Sequence, residues 1–104
     1  MTGNSITKSK LKVSEDVLVT VVELAALDVN GVVGLAKYGF FRKKPAVFIK
    51  RISDAIEVRV GIIVKIGVKP AFVAHNVQNA VKENVQNMTG LTVARVGITV
   101  HEII

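Results

Sequence analysis

The sequence predicts an α+β fold, with two helices packed on one face of a small mixed β-sheet in the order α-β-β-β-α-β. Three observations predict it. From Ile56 the apolar residues take every second position: Ile56, Val58, Val60, Ile62, Val64 and Ile66. Glu57, Arg59, Gly61 and Lys65 take the alternate positions, with Ile63 the exception. That two-residue period marks a half-buried strand. Past Val68-Lys69-Pro70 the spacing changes to Val73, Val77, Val81, Val85 and Met88, one stripe of a helix. A second helical run, from Val17 to Leu27, precedes them. A sheet with one apolar face and helices with one apolar side bury each other.

Taken in order, residues 1–10 read as a flexible basic arm, and 11–104 as a single domain. Leu11 and Val13 form an extended lead-in. Ser14 is a good N-cap, and Glu15 and Asp16 put negative charge at the positive end of the helix dipole. Val17, Leu18, Val21, Val22, Leu24, Ala25 and Leu27 give this helix a wide apolar face, and Asn30-Gly31 ends it. Its valines are mediocre helix formers, so packing must hold it. Val32 to Ala36 reads as a short strand. Val47-Phe48-Ile49 begins the next, and Ser53-Asp54 turns it into the long strand as an antiparallel hairpin. Pro70 suits a helix start, and Gly90 supplies the left-handed residue that ends one. Leu91 and Val93 alternate on one parity, and Val96, Ile98 and Val100 on the other. A bulge near Ala94-Arg95 would bring both halves to the core; without it they point opposite ways. If this last strand lies beside the Ile56 strand, the connection is a right-handed parallel crossover. The sequence leaves that adjacency open.

The chain has 104 residues, half of them hydrophobic, and no cysteine. A disulfide framework, a thiolate metal site and a cysteine nucleophile are therefore excluded. The first residues carry no apolar signal segment, and runs such as Gly61 to Val64 are too short to cross a bilayer. A cytoplasmic protein is expected, with peripheral contact at the inner membrane face as an extension. The net charge of +6 permits attraction to nucleic acid, anionic lipid or an acidic protein without choosing among them.

Catalytic signals are weak. His75 and His101 have no H-x-x-x-H spacing, and the eight acids give no metal-ligand cluster, so neither metal nor cofactor is expected. No G-x-S-x-G, Walker or Rossmann pattern is present. Gly31-Val32-Val33-Gly34 has the GxxG spacing of a nucleotide clamp, but a helix stop followed by a strand glycine accounts for it.

Two surfaces stand out. Lys37 to Pro45 holds three of the five aromatics, Tyr38, Phe40 and Phe41, beside Lys37, Arg42, Lys43 and Lys44. Such a mixture can stack on bases, sit on lipid phosphates or fill a pocket on a protein; equally, the rings can fold back on the core. The second surface is the outward parity of the sheet, with Arg59, Gly61 and Ile63 beside Arg95, Gly97 and Thr99. Its glycines would leave a low patch onto which another chain could dock, although one face of an antiparallel sheet often simply meets water.

Val13-Ser14-Glu15-Asp16-Val17 and Ala25-Ala26-Leu27-Asp28-Val29-Asn30-Gly31-Val32 together resemble the opening of the alkaline shock, or envelope stress response, protein family of Gram-positive bacteria and relatives. Asp54 to Gly67 is similar to that family's valine-rich strand. Val77-Gln78-Asn79-Ala80-Val81-Lys82-Glu83-Asn84-Val85 and Met88-Thr89-Gly90-Leu91-Thr92-Val93 look like its most specific signature, and Val100-His101 fits its end. Gly67 follows Ile66 rather than an aromatic, and the middle loop is shorter, basic and aromatic, so no shared role is carried over to that loop.

The resemblance implies a non-enzymatic cytoplasmic protein of cell-envelope homeostasis, some members being held at the membrane by a separate anchor. The expectation is a module that self-associates and contacts other proteins, including a membrane-anchored partner, near the inner membrane face. The alternative is a nucleic-acid-binding regulator using the basic arm and the Tyr38–Lys44 loop.

Overall fold

The computed structural model describes residues 13–36 and 46–104. The chain runs α1 (Glu15–Leu27), β1 (Val32–Leu35), β2 (Val47–Ile52), β3 (Ala55–Val64), α2 (Pro70–Thr89) and β4 (Thr92–Ile103). The order is the expected one. Leu11 and the 1–10 arm lie outside the described residues.

The Ser14 hydroxyl accepts from the Val17 amide at 3.2 Å and caps α1. Pro70 opens α2, and Gly90, at φ 77°, closes it with its N–H on the Gln86 carbonyl. β2 and β3 form the hairpin, from Val47 opposite Val60 to Ile52 opposite Ala55. β1 runs antiparallel beside the far end of β3, with Leu35 opposite Ile62. Gly61 shows that β1 and β2 share one side of β3: its amide donates to Ala46 and its carbonyl accepts from Ala36. A residue in a strand directs both groups to the same edge.

β4 takes the other side of β3 and is parallel to it, from Ala55 opposite Thr92 to Val64 opposite Ile103. This settles the adjacency the sequence left open: β3-α2-β4 is a parallel crossover, and the sheet is mixed. The bulge exists as well. Ile56 pairs with Val93 and Glu57 with Arg95, which leaves Ala94 as the extra residue and brings Val93 and Val96 to the same face. A second register step skips His101.

Both helices cover one face. Leu18 and Val22 of α1, Val77, Val81 and Val85 of α2, and Val58, Ile62 and Val64 of β3 are fully buried there. Three expectations need correction. Val17, Leu24 and Leu27 are exposed, because at about 100° per residue Val17 and Leu24 fall on the flank of an arc centred on Leu18, Val22 and Ala25, and Leu27 falls opposite it. Met88 lies on the valine stripe by angle yet is 68% exposed. Gln86 already reaches Val93 near the start of β4, so the last turn overhangs the sheet. Ile66 is also exposed, since β3 ends at Val64.

Candidate functional site

With both helices on one face, the residues of opposite parity form a second face that neither α1 nor α2 covers. The hairpin register carries it across β2, placing Phe48 opposite Arg59 and Lys50 opposite Glu57. The parallel register continues it onto β4, with Glu57 opposite Arg95, Arg59 opposite Gly97, Gly61 opposite Thr99 and Ile63 opposite Glu102. Arg59, Gly61, Ile63, Arg95 and Gly97, singled out from the sequence, therefore share one face. Lys50, Arg59 and Arg95 are exposed there, and Phe48 is 52% exposed.

The face is less bare than its glycines suggest. A Cβ on Gly61 would meet the His101 ring at 2.9 Å and the Ala36 Cβ at 3.1 Å. The imidazole fills the space that the missing side chain leaves. At Gly97 the nearest atom is the Arg59 Cγ, 3.7 Å from where a Cβ would stand. The arginine stem thus lies beside the second glycine at ordinary contact distance, and of the two glycines only Gly61 has a ring seated closely on it.

Gly61 has a further role. Its amide and carbonyl hold Ala46 and Ala36, at 2.9 and 2.8 Å. These are the described residues on either side of positions 37–45. Tyr38, Phe40, Phe41, Arg42, Lys43 and Lys44 themselves lie outside the described residues. Ala36 and Ala46 thus both meet β3 at the residue that sits under His101.

Sequence reasoning missed Phe48, Lys50 and the seating of His101 on Gly61. The first two were within reach. Val47 and Ile49 are buried, so their neighbours face out, and the two-residue hairpin turn fixes which rung each occupies. The third depends on the register step at His101, which leaves no mark in composition.

A shallow groove of about 290 Å³ runs between Gln78, Asn79 and Lys82 of α2 and Arg95 and Val96 of β4. Two amides of α2 close part of the strand there. Gln78 Nε2 donates to the Val96 carbonyl at 2.8 Å, and Gln86 Oε1 accepts from the Val93 amide at 3.1 Å. His75 is exposed and lies 3.3 Å from the Asn79 amide. Among the described residues, no group of three or more His, Cys, Asp or Glu side chains could hold a metal ion. No helix among them is long and apolar enough to cross a membrane. The outer sheet face presents Lys50, Arg59 and Arg95 beside the aromatic ring of Phe48.

The model of the alkaline shock protein 23 family, described as having a cell envelope-related function, matches residues 3–104. The uncharacterised protein Spy1614 of Streptococcus pyogenes serotype M6 is 34% identical over 104 aligned residues, covering 89% of this chain and 86% of its own length. The uncharacterised protein YloU of Bacillus subtilis strain 168 is 33% identical over 102, covering 88% and 85%. Among solved structures, MamM-CTD 215-293 superposes with a TM-score of 0.59 at 16% identity, over 86% of this chain and 99% of that one. The copper form of MamM CTD D249H gives the same score and identity. At that identity the likeness is one of fold.

Proposed function

The chain belongs to the alkaline shock protein 23 family, whose function is cell envelope-related, and from that premise we propose a non-catalytic protein of envelope homeostasis. It acts through self-association and protein contacts near the cytoplasmic face of the membrane. The observation that carries this reading is the sheet face left open by both helices. Lys50, Arg59 and Arg95 present positive charge there, beside a half-exposed Phe48. A face with an aromatic anchor and flanking cations suits an acidic protein surface. The lysines of residues 1–12 and the Tyr38–Lys44 segment would add attraction to anionic lipid.

Two measurements test it. Affinity capture from the native cell with the wild-type chain and with Arg59→Glu should differ, the variant losing envelope proteins while keeping its fold. Flotation with phosphatidylglycerol vesicles, run beside a gel shift with duplex DNA, should show vesicle binding that weakens steeply as salt rises. DNA binding without vesicle binding would favour the nucleic-acid reading instead. Unchanged capture by Arg59→Glu would remove the sheet face from the account.

A further inference from the structure

Among the described residues, β4 is an edge strand of 12 residues, paired with β3 along one side. A long edge is an open template for another strand unless it is blunted by charge, proline, bulges or a covering group. The first part of β4 is blunted in these ways. Ala94 bulges, Gln86 occupies the Val93 amide and Gln78 the Val96 carbonyl. At the far end the register steps again at His101. Between the two irregularities lies Val96-Gly97-Ile98-Thr99-Val100, which has no charge and no proline. Gln78 comes to Val96 from the side away from β3. By the two-residue period, Ile98 and Val100 direct their backbone groups to that same open edge. Their side chains face the core, yet both remain only half-buried.

The sequence of this edge is complementary to itself. In an antiparallel pair related by a two-fold axis at Ile98, residues directly opposite lie on the same face. Ile98 then meets Ile98, Val96 meets Val100 and Gly97 meets Thr99. Because His101 is passed over in the ladder, Glu102 takes the next rung of the outer face, as its pairing with Ile63 shows. That rung stands opposite Arg95 of the other copy. The axis therefore brings Arg95 against Glu102 twice, with apolar pairs on the core side. Arg95 and Glu102 are both exposed, and neither has an ion-pair partner among the described residues.

We propose that two copies of this chain join their sheets through antiparallel β4 edges centred on Ile98, locked by reciprocal Arg95–Glu102 pairs. The inference rests on the self-association named above and gives it a surface. The interface is isologous, so it closes at two; it takes up Arg95 and leaves Phe48, Lys50 and Arg59 of the outer sheet face free for a different partner.

Sedimentation equilibrium on the whole chain tests it. The wild type should move with concentration from its monomer mass of 11.2 kDa toward twice that value. Arg95→Glu alone and Glu102→Arg alone should each weaken the dimer about tenfold or more, since each replaces two attractive pairs by two repulsive ones. The double exchange should restore it. Ile98→Cys supplies a second readout in a chain without cysteine. Its self-paired rung brings the two Cα atoms to about 5.5 Å, within disulfide range. Oxidation should give a covalent dimer, whereas Thr92→Cys should not. A dimer indifferent to the charge exchange, or cross-linked equally through Thr92→Cys, overturns this surface and leaves self-association standing. A monomer at every concentration overturns both. Dimerisation that is weakened by both single exchanges and restored by the double one supports the proposal.

Discussion

Gly31 follows α1 at φ 99°, and a Cβ there would stand 2.8 Å from the Val73 Cγ2. An alanine at this position meets two penalties. The left-handed backbone costs about 1–2 kcal/mol, and the forced contact adds about 1–3 kcal/mol, because Val73 is buried and its branched side chain has little room to turn. Gly31→Ala should lower stability by about 2–5 kcal/mol in urea unfolding with an unchanged slope. The sequence marks Gly31 as a helix stop. Its close approach to Val73 is invisible there, because the two residues are 42 positions apart (73 − 31 = 42). Gly61 differs in kind. Its substitution to alanine pushes on an exposed histidine ring at 2.9 Å, and only then on Ala36. Gly61→Ala should cost about 1–3 kcal/mol. In a double-mutant cycle with His101→Ala, part of that cost should disappear. Full additivity would mean that the ring does not rest on Gly61.

At the scale of elements, α1 separates what periodicity tells from what it hides. Leu18 and Leu24 are the same residue in one apolar helix, yet Leu18 is 0% exposed and Leu24 63%. Leu18→Ala should cost about 2–5 kcal/mol through the cavity it leaves. Leu24→Gln should change stability by no more than about 0.5 kcal/mol. Thermal melts of the two variants decide the matter, and a large loss from Leu24→Gln would mean that this flank is covered. Where the valines recur at every fourth position among mostly polar and small residues, as in α2, the buried face was legible, although Phe72 beside the stripe is exposed. In α1, hydrophobic residues lie on the flank as well, so pattern alone could not draw the boundary. Met88 fits the α2 stripe by angle, and its exposure comes from where the sheet ends. The parity change in β4 was legible as a choice between two outcomes, and the bulge at Ala94 is the one adopted.

The whole molecule is arranged around β3, which has β1 and β2 along one side and β4 along the other. Its amides therefore have sheet partners whichever edge they face, with α1 and α2 closing the face beneath. Among the described residues, β4 has a partner along one edge only. This asymmetry predicts an alternating pattern of hydrogen exchange. In dilute protein, amides at Val58, Val60 and Ile62 should exchange only by global unfolding. Gly97 and Thr99, turned toward β3, should follow them. Ile98 and Val100, turned toward the open edge, should exchange faster by several orders of magnitude, because no opening is needed to expose them. Raising the protein concentration should slow those two amides and leave Gly97 and Thr99 unchanged, since pairing of β4 edges protects only groups on that side. Uniform protection from Val96 to Val100 in dilute protein would mean that some other part of the same chain already covers the edge. The two-residue alternation is thus a property of one strand and also a report on how the whole sheet ends.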